Sequence, residues 1–372
     1  MTRRLEARLL GGRDFKDPQP DLDGKAVLIT GGTGSFGHAL VETLLERTAV
    51  RRLIVFSRDE LKQSEMQVRF PPARHPQMRY FIGDVRSLPR LEMAMRDVDV
   101  VVHAAALKQV PTAEYNPLEC VHTNILGAEN VVTAALRQGV SRVIALSTDK
   151  AANPINLYGA TKLASDKIFV AANHLSGGGD PRFAVVRYGN VAGSRGSVIP
   201  FFRTLISQGV RFLPITDPRM TRFWITLDQG VNFVLSSLGL MKGGEIFVPK
   251  IPSMRTVDLA RTLAPDLPHE VVGIRPGEKL HEIMVPEDDG RATLALDDRY
   301  VILPPYSPEL WSAYEKAGAA PVGDGFCYAS NTNPETLDAR ALQDLLTATY
   351  GAMADQPSGD ERPVPEATAR VS

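Results

Sequence analysis

The run Gly31-Gly32-Thr33-Gly34-Ser35-Phe36-Gly37 constrains this chain more than any other feature. It directly follows the apolar stretch Lys25-Ala-Val-Leu-Ile-Thr30, and a helical pattern opens near Phe36. A strand, a G-x-x-G-x-x-G turn and a helix in that order have a physical rationale. Glycines let the backbone approach a diphosphate closely, and the free N–H groups of the helix start face its charge. The competing reading is a plain tight turn, since glycine is common in turns. Gly31, Thr33, Gly34, Ser35, Phe36 and Gly37 are the candidate dinucleotide contacts.

The rest of the chain repeats the strand–helix rhythm. Leu53-Ile-Val-Phe56, Tyr80-Phe-Ile82, Val98 to His103, Arg142 to Ser147 and Phe183 to Arg187 are continuously apolar. Such runs fit parallel strands buried on both faces. Amphipathic stretches such as Pro117 to Leu136 and Tyr158 to Leu175 lie between them. The pattern predicts an α/β fold with a Rossmann-type doubly wound parallel sheet over residues 23–190. After Asn190, Gly, Pro and Arg become frequent and strands such as Gly244 to Val248 stand alone. Residues 191–350 are read as a smaller C-terminal substrate-binding part, with elements returning to the sheet. Residues 1–22 read as a charged leader, and residues 351–372, poor in large apolar groups, as a disordered tail.

Composition narrows the partners. Lys and Arg number 42 against 43 Asp and Glu, a net charge of -1, so there is no basic surplus for nucleic acid. The two cysteines, Cys120 and Cys327, suit neither a disulfide framework nor a zinc site, and no metal is expected. No run of about 18 apolar residues exists for a membrane span. Met1 to Leu10 lacks the apolar centre of a signal peptide. The expectation is a reduced cytoplasmic protein.

The end of the second strand selects the cofactor. An acidic residue there would hold the ribose hydroxyls of NAD and repel a 2′-phosphate. Here Ser57 stands at the strand end, Arg58 follows and Lys62 lies one turn on. A hydroxyl and cations suit the 2′-phosphate of NADP, which is the expected cofactor; the competing reading turns Asp59 inward to hold NAD. In Gly83-Asp84-Val85, Asp84 is either an adenine contact or a solvated turn residue. Ala104-Ala105-Ala106 leaves room for a cofactor or simply packs in the core.

The candidate chemistry lies at the fifth strand and the helix after it. Tyr158-Gly-Ala-Thr-Lys162 puts a phenol and an ammonium on one helix face. A phenol of pKa about 10 is a poor base at neutral pH. A neighbouring cation and a positive nicotinamide ring would lower that value. Tyr158 with Lys162 can then take a proton from a sugar hydroxyl while hydride leaves. Thr148-Asp149-Lys150 follows the strand end, where ligands bind in such sheets. Thr148 can donate to a substrate oxygen, and Asp149 and Lys150 supply a carboxyl group and an amine. A surface ion pair is the competing reading for those two. His103 reads as a packed histidine rather than a catalyst.

These motifs, with Ser57 to Gln63, His103-Ala-Ala-Ala-Leu-Lys108, Arg187 to Val191, Ser194 to Ser197, Met220 to Trp224 and Arg275-Pro-Gly-Glu-Lys279, resemble the extended short-chain dehydrogenase/reductases. More narrowly, they resemble the configuration-inverting UDP-N-acetylglucosamine 4,6-dehydratases that begin pseudaminic acid synthesis. The resemblance spans about Asp23 to Leu303. Many nucleotide-sugar 4,6-dehydratases carry Thr-Asp-Glu, with Glu as the base at sugar C-5; the inverting group has Lys there, as this chain has Lys150.

The resemblance implies bound NADP and conversion of UDP-N-acetylglucosamine to UDP-2-acetamido-2,6-dideoxy-β-L-arabino-hex-4-ulose plus water. It implies Lys150 as a neutral amine at C-5, its pKa brought down by Lys162, the nicotinamide charge and desolvation. Asp149, protonated, would help the C-6 hydroxyl leave. Arg195 and Arg275 become candidates for the diphosphate, Asn190 for sugar or phosphate, and Glu278 for the uridine ribose. Surface ion pairs and a turn are the alternatives for Arg275, Glu278 and Asn190. Lys108 is an active-site loop cation without a firm role. The family also implies a homo-oligomer, dimeric or hexameric. Two rivals stand: a UDP-sugar 4-epimerase, which needs no acid and base at C-5 and C-6, and a catalytically inactive NADP-binding regulatory protein.

Overall fold

The computed structural model describes residues 13–351 apart from Gly178, Arg195 and Tyr306. Its first six strands are Ala26–Thr30, Arg52–Ser57, Met78–Ile82, Val100–His103, Arg142–Leu146 and Arg182–Val186, here β1 to β6. They are parallel and lie in the order β3-β2-β1-β4-β5-β6. The doubly wound sheet expected from the sequence is therefore present. Ile246–Pro249 extends it in parallel beyond β6, and Arg299–Ile302, Thr293–Ala295 and Ala320–Pro321 close it antiparallel, for ten strands in all among the described residues.

Every residue of β1 and β4 is buried, which is why their sequences do not alternate. β3 differs from the sequence expectation. It is the edge strand, only Met78 is buried, and Ile82 is 49% exposed. The strand order reverses at β1, between β2 and β4. Chains diverging from such a point leave a crevice at the strand ends.

Two helix starts matter for that crevice. The helix Ser35–Arg47 begins at Gly34 with no side-chain cap, so its first N–H groups are left for a ligand. Gly37 lies so close to the preceding turn that a Cβ would sit 2.1 Å from Gly32 O. The helix Leu157–Ala172 is capped by Asn156, whose side chain accepts from Gly159 N at 2.8 Å. A Cβ on Gly159 would lie 2.2 Å from Lys150 O, so glycine lets this helix pack against the turn after β5. The stretch Pro117 to Leu136 contains a π-helical turn, His122–Leu126, that buries Asn124. The Asn124 amide accepts from Leu107 N and donates to Leu107 O, both at 2.9 Å, and fixes the loop after β4.

A second, smaller core gathers Ile199, Phe202, Trp224, Leu259 and Leu342. The helices Val198–Ser207, Thr256–Leu263 and Ala339–Gly351 contribute to it. Residues 13–22, read from the sequence as leader, run along the body. Phe15 packs edge-on to Phe233 at 5.1 Å, Leu22 is buried, and Arg13 pairs with Glu335 at 2.6 Å. The apolar Phe15 and Leu22 anchor this arm in the main core. Residues 1–12 and 352–372, the rest of the leader and nearly all of the tail, lie outside the described residues. Among the described residues no helix is long and apolar enough to cross a membrane.

Candidate active site

A cavity of about 1010 Å³ opens along the carboxyl ends of the parallel strands. Gly31, Thr33, Gly34, Ser35, Phe36 and Gly37 line one end of it. Ser57, Arg58, Lys62, Asp84, Val85, Ala104 and Ala105 line it as well. The close glycine turn and the uncapped helix start fit a dinucleotide diphosphate on chemical grounds.

The residues expected to choose the cofactor are engaged with one another. Ser57 Oγ accepts from Gln63 Nε2 at 3.0 Å, and the same amide donates to Phe81 O, tying β2 to β3. Asp59 caps the helix Glu60–Arg69, accepting from Lys62 N at 3.0 Å, and pairs with Lys62 Nζ at 3.0 Å. It also lines the cavity beside Arg58 and Lys62. Asp84 is held by Arg86 at 2.8 Å and stands 3.7 Å from Arg58, whose side chain remains 56% exposed. The adenine contact proposed for Asp84 thus competes with two guanidinium groups.

At the far end of β5, Thr148 builds a tight turn. Its Oγ1 accepts from Lys150 N at 3.3 Å and donates to Asp149 Oδ1 at 2.8 Å. Lys150 Nζ donates to the same Oδ1 at 3.1 Å. Asp149 is 1% exposed, and its Oδ2 is buried without a hydrogen-bond partner. Lys150, Tyr158 and Lys162 line the cavity with Thr148, whereas buried Asp149 is not part of its lining.

The electrostatics depart from the sequence expectation in two places. Burial pushes the Tyr158 phenol up to about 12, and the cation opposing this is Lys150. Lys162 donates Nζ to Leu146 O at 2.7 Å, and burial lowers its pKa against the pull of Asp166. Lys150 itself does not rest as a neutral amine. Burial favours the amine, yet the carboxylates of Asp149 and Glu282 outweigh it and raise the pKa. His103 is a packed residue as expected: Nδ1 lies 2.8 Å from Thr30 Oγ1, and burial pushes the ring down to about 3.

Lys108, Asn190, Arg275 and Glu278 also line the cavity. Burial and then the charge of Lys150 lower Lys108. Asn190 is placed by pairing of its short strand with Trp224. Arg275 and Glu278 are bound to each other, and the Arg275 side chain stays 70% exposed. Arg195 lies outside the described residues. Sequence reasoning missed Glu282, which stands 3.5 Å from Lys150, and gave no role to Arg222, 3.6 Å from Glu282. Arg222 sits inside the quoted Met220 to Trp224 motif, and Glu282 lies just after Lys279; their meeting is tertiary.

A parallel sheet reversing at β1, with a phenol and two lysines gathered past β5, makes this an extended short-chain dehydrogenase/reductase built for a nicotinamide dinucleotide. Residues 27–304 match the model of a family described as polysaccharide biosynthesis protein, and the chain belongs to that family. It is 56% identical over 335 residues to the UDP-N-acetylglucosamine 4,6-dehydratase (inverting) of Campylobacter jejuni strain 81-176, covering 88% of this chain and 99% of that one. It is 42% identical over 285 residues to a UDP-glucose 4-epimerase of Rickettsia canadensis, covering 75% and 82%. The solved structure of Pen from Bacillus thuringiensis matches with a TM-score of 0.80 and 35% identity over 87% of this chain and 98% of that chain. DesIV of Streptomyces venezuelae, a dTDP-glucose 4,6-dehydratase solved with NAD, shares the fold at a TM-score of 0.61 and 24% identity over 68% and 86%.

Proposed function

We propose that this protein is a UDP-N-acetylglucosamine 4,6-dehydratase that inverts C-5, acting early toward pseudaminic acid or a related surface sugar. The observation that carries the reading is the Thr148–Lys150 turn, with Asp149 and Lys150 in contact, packed against the start of the Tyr158 helix. The 42% relative named an epimerase keeps 4-epimerisation as the second reading. That reaction uses Thr148, Tyr158 and Lys162 and has no task for Asp149 and Lys150.

A nicotinamide dinucleotide, which the glycine turn Gly31 to Gly37 would hold, would supply the hydride acceptor and donor. Tyr158 Oη takes the proton of the C-4 hydroxyl, its phenolate favoured by the Lys150 ammonium. Protonating Tyr158 removes an anion beside Lys150 and loosens the Lys150 proton. As the free amine, Lys150 takes the hydrogen from C-5, which the neighbouring ketone has made acidic. The C–H electron pair becomes the C5=C6 bond while Asp149 gives the departing C-6 hydroxyl the proton that Lys150 passed to its Oδ1 on becoming the free amine. Water leaves, and a proton later reaches C-5 on the face that inverts it.

NADP is the cofactor form we infer. Exposed Arg58 at the rim supports it, as does Asp59, whose carboxylate is committed to the helix cap. A homo-oligomer, dimeric or hexameric, is part of the same reading; Tyr115 (87% exposed) and Leu118 (68%) offer an apolar face that supports it. The deciding experiment incubates the protein with UDP-N-acetylglucosamine in deuterium oxide. The expected product has lost one water and carries deuterium at an inverted C-5. A product of unchanged mass with C-4 inverted would establish the epimerase instead.

A further inference from the structure

Glu282 is 1% exposed and held from both sides of its peptide. Glu282 N donates to Ser330 Oγ at 2.9 Å, and Ser330 N donates to Glu282 O at 2.8 Å. Its Oε1 stands 3.5 Å from Lys150 Nζ and 3.6 Å from Arg222 Nε. Its Oε2 lies 3.9 Å from Lys279 Nζ and is buried without a hydrogen-bond partner. All three cations also have a nearer partner, which for Lys150 is Asp149 Oδ1 at 3.1 Å. Arg222 donates to the carbonyls of Thr221, Leu280 and Lys279, and Lys279 Nζ donates to Ala152 O at 2.5 Å. All three line the cavity, and Lys150 is the most exposed of them, with about a quarter of its side-chain surface open.

We propose that Glu282 is a positioning residue for the elimination step: its fixed carboxylate stands as a second anion beside the Lys150 amine that Asp149 hydrogen-bonds, and helps to govern how firmly Lys150 keeps its proton. The inference rests on the reading of Lys150 as the C-5 base. The charged and titratable groups around Lys150 are Asp149, Tyr158, Arg222, Lys108 and Lys279 besides Glu282. With Glu282 ionised, two carboxylates balance the nearby cations. With a neutral amide at 282, Asp149 alone faces Arg222, Lys279 and Lys108, and the Lys150 ammonium becomes easier to deprotonate. An opposite charge at this range moves a pKa by about 1–3 units. Glu282→Gln therefore shifts the Lys150 midpoint downward by about 1–3 pH units. Below the midpoint, the amine fraction rises about tenfold for each unit of that shift.

The test compares wild type, Glu282→Gln and Glu282→Asp as full-length proteins. Trace acetylation with acetic anhydride, from neutral to strongly alkaline pH, is read by mass spectrometry of the peptide that contains Lys150. Single-turnover dehydration of UDP-N-acetylglucosamine is followed over the same series where the protein tolerates it. In Glu282→Gln the labelling midpoint falls by about one unit or more, and its rate relative to wild type is highest at the acid end. Glu282→Asp keeps the charge and the wild-type midpoint while its turnover falls. Coincident midpoints in wild type and Glu282→Gln would overturn the inference, whatever the rates. Should the Gln variant not fold, a wild-type Lys150 midpoint at or below that of a free lysine, about 10.4, overturns it equally. A shifted midpoint with no dehydrated product leaves the hold on Lys150 standing and removes the dehydratase reading. Dehydration with an unmoved midpoint does the reverse.

Discussion

Lys150→Met keeps the length of the side chain and removes its charge, and the structure says that two steps suffer. The first is proton removal at C-5, which loses its base. The second is C-4 oxidation, because Lys150 is the cation that opposes the burial of Tyr158. With the phenol pushed up to about 12, roughly one Tyr158 in 3 × 10⁴ is ionised at about pH 7.5 in the ligand-free site. Loss of a neighbouring opposite charge raises that value by about 1–2 units more. If proton transfer from the C-4 hydroxyl follows the phenolate fraction, oxidation slows about ten- to a hundredfold. The active form is the deprotonated one, so the sign is fixed: both rates rise about tenfold per pH unit, and the variant's deficit stays constant until the pH approaches about 12, where the wild-type phenol ionises first. Rapid mixing of the loaded variant with UDP-N-acetylglucosamine reads oxidation from the absorbance of reduced nicotinamide. Quenched samples in deuterium oxide read dehydration and C-5 exchange by mass and NMR. An oxidation rate equal to wild type would show that Lys150 does not act on Tyr158. Dehydrated, C-5-deuterated product at a comparable rate would show that Lys150 is not the base.

Tyr158→Phe keeps the fold and lowers turnover by about 10²–10⁴-fold, since a positioned acid–base group contributes that much; near-normal turnover with an unchanged melting temperature would exclude Tyr158 from proton transfer. Arg58→Asp shifts cofactor preference from NADP toward NAD, measured as the ratio of dissociation constants, and an unchanged ratio refutes the role given to Arg58. Gly37→Ala places a Cβ 2.1 Å from Gly32 O and forces the helix away from its turn. It should cost about 1–3 kcal/mol in thermal unfolding and abolish cofactor binding; cofactor affinity within a factor of about two of wild type would argue against the close approach.

The parts of the site that lie close together in the chain were legible. The glycine turn follows its strand without a gap, and Tyr158 and Lys162 share a helix face by spacing alone. The capping role of Asp59 was not read from the sequence, although its position signals it. An aspartate placed just before a helical run is a strong N-cap, which competes with any inward role. The burial of Phe15 was not legible, because it depends on Phe233, a residue more than two hundred positions away that only the fold brings near. The proton on Lys150 was misread in part for the same reason. Burial argues for a neutral amine, but adjacent Asp149 holds the proton most strongly and Glu282, distant in the chain, adds to that hold.

That reversal follows from charge balance. Where related enzymes place a glutamate after Thr-Asp, the base carries its own negative charge into the cavity. A lysine at 150 instead adds a cation to a pocket already holding Arg222, Lys279 and Lys108. Four cations facing Asp149 alone would leave the cavity floor strongly positive, and desolvated like charges cost several kcal/mol. A compensating carboxylate has to come from elsewhere in the chain. Glu282 supplies it from a backbone fixed on Ser330, close enough to Lys150 to influence its proton and too deeply buried to be screened by solvent. On this argument lysine at 150 and glutamate at 282 form one functional unit. Replacing Lys150 by Glu, to imitate the Thr-Asp-Glu arrangement, should therefore fail on its own, by setting two carboxylates against each other. Its activity should recover in part when Glu282 is changed to Gln as well. Equal activity of the single and double variants would show that the two positions are independent.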